Sequence, residues 1–238
     1  MSYSHSARIY DAIYSSFKDY AAESARLHEL IDTYKRSSGN RLLDVGCGTG
    51  AHLTHLNTMY QVEGVDSEPE MLRFARERLP DVPFHQGDMR TFDLSSRYDV
   101  VVSLFSAIGY MTTLDDLSCA VDTMARHLIP GGVLLVEPWF APDQFIANSI
   151  HMRTVDLPEL KISRITHSRV EGTLSIMDMY HTVGTVDGVT SFMEQHLMGL
   201  FTPEQYRATF EAAGLVTTFD TQGLDGRGLW IGIPRLDA

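Results

Sequence analysis

The chain has 238 residues and a formal net charge of -12, enough length for one sizeable α/β unit without demanding a second. No basic run occurs anywhere, which excludes the clustered Lys and Arg surface that nucleic-acid binding requires. Cys47 and Cys119 allow at most one bridge and read as reduced thiols of a cytoplasmic protein, and no apolar segment approaches the length of a membrane span.

The N-terminal stretch MSYSHSARIYDAIYSSFKDY lacks an apolar core preceded by positive charge, so export by a standard signal is not expected. The next segment, AAESARLHELIDTYKRS, spaces Ala22, Ala25, Leu27, Leu30, Ile31 and Tyr34 along one helical stripe and predicts a helix that covers a sheet. Apolar strands then alternate with helical patterns. RLLDV is followed by a helix from about Gly50 to Met59, and VEGVD by the helix EPEMLRFARERL, opened by Ser67. PFHQGD, YDVVVSLF, a helix from about Leu114 to Leu128 and GGVLLVEP continue the alternation. Strands this uniformly apolar predict a parallel sheet buried on both faces, a doubly wound α/β arrangement.

From Trp139 to about residue 200 the rhythm changes to polar residues alternating with β-branched or aromatic ones around Gly turns, which predicts antiparallel strands inserted into the parent unit. TPEQYRATFEAAGL restores a helix, with Thr202 as its cap, Pro203 at its first position and Gly214 closing it. VTTFDT and LWIGIP complete the sheet. No repeat or flexible linker interrupts the chain, so it is expected to be a single domain over 1–238, with an antiparallel β insertion at about 139–200.

Three glycines, Gly46, Gly48 and Gly50, follow the first strand and Asp44 precedes them. Such a turn lets a ligand approach the backbone, with helix N-terminal N–H groups facing it. Dinucleotides and S-adenosylmethionine both use loops of this kind. The third glycine falls one residue short of the dinucleotide spacing, which favours the second. Asp66, about twenty residues beyond the first glycine at the end of the second strand, is suited to a pair of ribose hydroxyls, and Ser67 is available to cap the helix in its place. Asp88 and Met89, after the third strand, offer a carboxylate and an apolar wall to a base.

Through LLDVGCGTG, VEGVDSEPEML, HQGDM and PGGVLLVEPW the chain resembles the class I S-adenosylmethionine-dependent methyltransferases. The resemblance implies a Rossmann-like mixed sheet of order 3-2-1-4-5-7-6 with strand 7 antiparallel. It also implies that Gly46, Cys47, Gly48 and Gly50 pass the methionyl portion and Asp44 addresses its amino group. Asp66 with Ser67 would hold the ribose, Asp88 with Met89 would meet the adenine, and Leu104 would complete the cofactor wall.

KDYAAE, CGTGAHL, HQGDMR, FSAIGYM, HLIPGGVLLVEPWF, RITHSRVEG, LFTPEQY and GRGLWIGIP extend the likeness over nearly the whole chain. They resemble the dTDP-aminosugar N-methyltransferases (N,N-dimethyltransferases) of antibiotic deoxysugar biosynthesis. Within that resemblance Arg227, bounded by Gly226 and Gly228, is a candidate bidentate partner for the pyrophosphate. Arg164, Thr166 and Ser168 alternate on one strand and face one way, offering charge and hydroxyls to phosphate oxygens. Glu137 and Trp139, at the end of the fifth strand, are candidate substrate contacts, Trp139 as a stacking surface for the base.

Within the same resemblance Tyr110, in SAIGYM at the end of the fourth strand, would face the acceptor. Some relatives carry His there, which favours Tyr110 as an orienting partner over a general base. Tyr3, as a catalytic candidate, and Tyr20, as a cofactor contact, are drawn from an N-terminal helical lid over 1–38 that also carries Tyr10 and Tyr14 and would bring aromatic faces near the sulfonium. His5, His85, His127 and His181 lack metal-ligand spacing, so no metal is expected. A nucleotide-sugar substrate, no membrane partner and a homodimer complete the expectations. The rivals are O- or C-methylation of a small molecule, an NAD(P)-dependent reductase and a non-catalytic S-adenosylmethionine-binding module.

Overall fold

A computed structural model of the protein describes residues 7–235. Helices α1 (Ala7–Tyr14) and α2 (Tyr20–Tyr34) lead into β1 (Arg41–Val45), α3 (Ala51–Leu56), β2 (Gln61–Asp66), α4 (Pro69–Arg78) and β3 (Phe84–Gln86). β4 (Tyr98–Ser103), a 3-10 turn over Ala107–Tyr110, α5 (Leu114–Arg126) and β5 (Leu128–Val136) follow. Then come β6 (Ser149–Leu157), β7 (Leu160–Glu171), β8 (Leu174–Thr185), β9 (Gly188–Gly199), α6 (Pro203–Ala212), β10 (Leu215–Asp220) and β11 (Leu229–Pro234).

The seven-stranded sheet has the order β10-β11-β5-β4-β1-β2-β3. β11 runs antiparallel to both β5 and β10, while the other pairs are parallel. This is the 3-2-1-4-5-7-6 order, with the inserted strands left out of the count. Consecutive residues split between two cores, as a period of two demands. Leu42, Val100 and Val133 pack with Leu27, Ile31, Leu53 and Leu56 on one face. Leu43, Val101 and Leu134 pack with Leu117, Val121, Phe210 and Trp230 on the other.

The helical stripe in α2 differs from its sequence reading. Ala22 and Ala25 are exposed, and the buried face is Glu23, Ser24, Leu27, Leu30 and Ile31. An acid can sit there because His52 Nε2 lies 2.8 Å from Glu23 Oε2 and Lys18 Nζ 2.7 Å from Oε1. α5 stops at Arg126, and Leu128 already belongs to β5. α4 is not opened by Ser67. Its cap position is Glu68, and Pro69 supplies the first helical residue. α6 is built as its sequence reads, with Thr202 and Gln205 forming a reciprocal capping box.

β6 to β9 form a separate antiparallel sheet in simple chain order. Its inward face is tied to the main unit at two places. Ile9 and Ile13 of α1 pack against Val155, Ile162 and Val183. At the other end, a Cβ on Gly109 would lie 2.6 Å from Met198 Cε and 2.8 Å from Trp139 Cβ, so only glycine lets the 3-10 turn press against β9. Among the described residues no helix is long and apolar enough to cross a membrane.

An eight-residue helix such as α1 has little stability of its own. Ile13 is 2% exposed, and truncating a buried isoleucine costs about 2–5 kcal/mol. Ile13→Ala is therefore expected to speed amide exchange across residues 7–14 while leaving β4 protected, as measured by hydrogen–deuterium exchange.

Candidate active site

A cavity of about 1120 Å³ opens between the carboxyl ends of β1, β2 and β4 and the inward face of the four-stranded sheet. It lies at the switch point between β1 and β4, where open α/β sheets take their ligands. A small side pocket lined by Tyr10, Tyr20, Asp44, Cys47 and His52 continues behind the glycine loop.

The loop is shaped by its own hydrogen bonds. The N–H groups of Gly46 and Cys47 donate to Val65 O at 2.8 and 3.0 Å. Gly46 and Gly48 have φ of 78° and 54°, a region that favours glycine, and both line the cavity. A Cβ on Gly46 would sit 2.6 Å from Ala107 Cβ, whereas one on Gly48 would meet nothing, so Gly48 faces open space. Gly50 departs from its expected place. It caps α3 and faces Ala75, Leu79 and Phe84, packing helix on strand rather than lining the cavity. Cys47 is buried in the side-pocket wall, which pushes its thiol pKa well up.

Asp66 lines the cavity, but it is not left free by Ser67, which is exposed. Asp66 itself accepts from Gly48 N–H at 2.8 Å and from Glu68 N–H at 2.9 Å. It thereby braces the glycine loop, and each oxygen keeps a second lone pair. Asp44 is 2% exposed and its Oδ1 has no hydrogen-bond partner among the described residues. Burial, with Asp66 nearby, raises its pKa to about 8.

Asp88 and Met89 reach the cavity after β3. Asp88 is clamped by Arg90, whose Nε and Nη2 donate at 3.0 and 2.5 Å and hold its pKa down. Leu104 is buried at the boundary of both pockets. Beyond it Phe105 and Ser106 take φ of 50° and 58°, unfavourable for residues other than glycine.

Glu137 explains that turn and does not reach substrate space as expected. It is fully buried, off the cavity wall, and its Oε2 accepts from Phe105 N–H at 2.6 Å. Its pKa is raised to about 7 by burial. Arg227 lines the cavity, but its fork is already taken. Nε and Nη2 donate to Asp225 at 3.3 and 2.5 Å, Nη1 donates to Ser106 Oγ at 3.1 Å, and Glu137 Oε1 lies 3.7 Å from Nε.

On the opposite wall Thr166 and Ser168 point inward from β7, 7% and 4% exposed. Trp139 is fixed by its Nε1 donating to Ser175 Oγ at 2.9 Å and stands with Phe140 and Phe145 as an aromatic rim. The Tyr110 hydroxyl lies 2.8 Å from His196 Nδ1. Tyr20 meets His52 edge-on in the side pocket, with its hydroxyl buried and its pKa raised by burial. Tyr3 and His5 lie outside the described residues.

Sequence reasoning missed His196, the buried trio Lys18, Glu23 and His52, and the anchor of α1. There Thr49 Oγ1 donates to Asp11 Oδ1 at 2.6 Å, and Arg78 pairs with Asp11 while its Nη1 donates to Thr49 O at 2.6 Å. No local spacing signals any of these. Among the described residues no cluster of His, Cys, Asp or Glu has the makings of a metal site.

These residues fit S-adenosylmethionine. An unpartnered buried carboxylate awaits an ammonium group, a glycine with open space above it admits a close ligand, and an acid at the end of β2 retains acceptors for hydroxyls. The raised pKa has a stability consequence. The folded protein holds a proton on Asp44 that the unfolded chain releases, so Asp44 stabilises the fold below its ordinary value of 3.8 and costs stability as pH climbs toward about 8. In ligand-free protein, the gain in Tm from Asp44→Asn should grow across that interval and level off above it, as read by thermal melts against pH.

Residues 42–132 match the family described as a methyltransferase domain. The chain is 40% identical to dTDP-3-amino-3,4,6-trideoxy-alpha-D-glucopyranose N,N-dimethyltransferase of Streptomyces venezuelae, over 96% of this chain and 97% of that one. It is 41% identical to dTDP-4-amino-2,3,4,6-tetradeoxy-D-glucose N,N-dimethyltransferase of Saccharopolyspora spinosa, over 95% and 92%. The solved structure of CalS10 with bound S-adenosylmethionine, described as an amino pentose methyltransferase from Micromonospora echinaspora, superposes with a TM-score of 0.87. It is 39% identical, with 95% of this chain and 97% of that one covered. The chain belongs to the S-adenosylmethionine-dependent methyltransferases, in the branch of the dTDP-aminosugar N,N-dimethyltransferases.

Proposed function

We propose that the protein N-methylates the amino group of a dTDP-linked aminodeoxysugar in antibiotic biosynthesis. The observation that carries this reading is the near full-length identity to two such enzymes, which includes the four-stranded sheet forming the acceptor wall. When bound, S-adenosylmethionine supplies a sulfonium-activated methyl that a neutral nitrogen displaces in line.

The proposed cofactor seat is built from Gly46, Gly48, Asp44, Asp66, Asp88, Met89, Leu104 and Tyr20. Asp44 addresses the ammonium group and Asp66 the ribose hydroxyls. Helix α1, anchored through Asp11, is the proposed lid over this seat. Trp139 with Phe140 and Phe145 offers a rim on which a thymine base stacks.

Tyr110 is the proposed orienting group for the acceptor amine. Burial lowers the pKa of His196 to about 4, and the charge of Arg164 adds to the effect. His196 is therefore neutral at pH 7, and its hydrogen bond to the Tyr110 hydroxyl fixes the position of that hydroxyl beside the acceptor amine. A histidine this weakly basic is a poor proton acceptor. Positioning in a water-poor cleft, which accounts for as much as about 7–11 kcal/mol of a barrier, carries the rate instead.

A homodimer is part of the same proposal. On the face of the four-stranded sheet away from the cavity, Ile165, Tyr180 and Met193 stand in one register row, 43%, 53% and 51% exposed. An apolar row of this kind favours burial against an identical copy. A cytoplasmic location agrees with both cysteines being unbridged. The net charge of -12 speaks against nucleic-acid partners.

Incubation with a panel of dTDP-3-amino and dTDP-4-amino sugars is expected to add one or two methyl groups to at least one of them by mass spectrometry. No gain across the panel would reject the substrate class. Tyr110→Phe should lower kcat about tenfold, the worth of one hydrogen bond, with no shift in the pH profile; a displaced acidic limb would make Tyr110 a base. Ile165→Lys combined with Met193→Lys should convert a dimer to a folded monomer in sedimentation velocity.

A further inference from the structure

Four arginines line the cavity: Arg90, Arg153, Arg164 and Arg227. Two are neutralised by the protein itself. Arg90 is held by Asp88 and Asp116, and Arg227 by Asp225. The other two are treated differently by the fold.

Arg153 of β6 and Arg164 of β7 are direct partners in the antiparallel register. Opposed residues of this kind have Cβ atoms about 5 Å apart, and like charges so placed repel. An acidic chain has carboxylates to spare, yet among the described residues neither guanidinium is ion-paired to one. Each lies instead against an aromatic ring of the N-terminal segment. Arg153 Cζ is 4.5 Å from the Phe17 ring centre and Arg164 Cζ is 5.3 Å from that of Tyr14. Arg164 Nη1 donates to the Tyr14 hydroxyl at 3.1 Å, while its Nε is buried with no hydrogen-bond partner. Both rings face the same cavity.

Two unneutralised guanidiniums held side by side, with a buried donor still unused, fit a ligand carrying more than one negative charge. Planar forks match phosphate oxygens bidentately, and ring stacking fixes their orientation without consuming their in-plane donors. Thr166 and Ser168 lie two and four residues further along the inward face of β7 and offer hydroxyls beside the pair.

We propose that Arg153 and Arg164 clamp the diphosphate of the nucleotide-linked acceptor, in place of Arg227. This rests on the nucleotide-sugar reading above. The clamp draws on the insert for its charges and on the end of α1 (Tyr14) and the segment after it (Phe17) for its rings, so the diphosphate bridges lid and sheet.

Isothermal titration with thymidine diphosphate, thymidine and S-adenosylhomocysteine as separate probes tests the clamp. Arg153→Gln and Arg164→Gln are each expected to weaken thymidine diphosphate about tenfold, and the double variant about a hundredfold. Thymidine and S-adenosylhomocysteine affinities should stay within about twofold, since neither carries the diphosphate. Arg153 is exposed, so Arg153→Gln retains the fold even if Arg164→Gln does not. Unchanged thymidine diphosphate affinity in Arg153→Gln overturns the clamp alone. An equal loss for S-adenosylhomocysteine would also overturn it and assign the pair to the cofactor carboxylate. Failure of the parent enzyme to bind thymidine diphosphate at all overturns the nucleotide-sugar reading and the clamp with it.

Discussion

The buried carboxylate of Glu137 fixes the turn on which both halves of the site depend. Phe105 and Ser106 hold left-handed backbone angles that β-carbons disfavour, each costing on the order of 1–3 kcal/mol. Glu137 Oε2 accepts the Phe105 N–H, Ser106 Oγ donates to Pro138 O at 2.7 Å, and Arg227 closes over the same hydroxyl. The strain is over-determined by these contacts. What it achieves is direction: the chain leaving β4 passes Leu104 across the cofactor pocket, sets Ala107 against Gly46 and brings Tyr110 under the inserted sheet.

Around this turn the buried charges of Lys18, Glu23 and His52 connect to the exposed Asp225. Lys18 lies 4.1 Å over the Phe105 ring and within 3.9 Å of Asp225, as well as pairing with Glu23, which in turn meets His52. Pairs taken out of water in this way gain little net stability, because desolvation offsets their attraction. Their value is geometric. Removing one member leaves an uncompensated buried charge, so the set tolerates only one arrangement of α2, the β4 turn and the loop before β11.

The opposite wall is made differently. Met177, Met179 and Met198 line the inserted sheet, and Met89 and Met111 face them from the main unit. Thioether side chains adapt their shape at low cost. A glycine loop braced by Asp66 thus faces a compliant, methionine-rich wall across the cavity.

The doubly wound sheet and the class of cofactor were legible because their signals are local: apolar strands, a glycine run preceded by an acid, and acids at successive strand ends; the strand order followed from the family resemblance. The capping box of α6 was equally local. Long-range pairings carried no such signal. Tyr110 meets His196 across 86 residues, Arg164 meets Tyr14 across 150, and Glu137 reaches Phe105 across 32. Sequence therefore assigned Glu137 and Arg227 to the substrate, whereas the fold turns them on Phe105, Ser106 and Asp225. Periodicity put Arg164 on one face with Thr166 and Ser168, but only strand register set Arg153 beside it. What the sequence alone determined is the class of cofactor and the scaffold that presents it, since both depend on neighbours in the chain. Which charges remain available to an acceptor was decided by tertiary structure, because a guanidinium is spent or unspent only according to what the fold places within its reach.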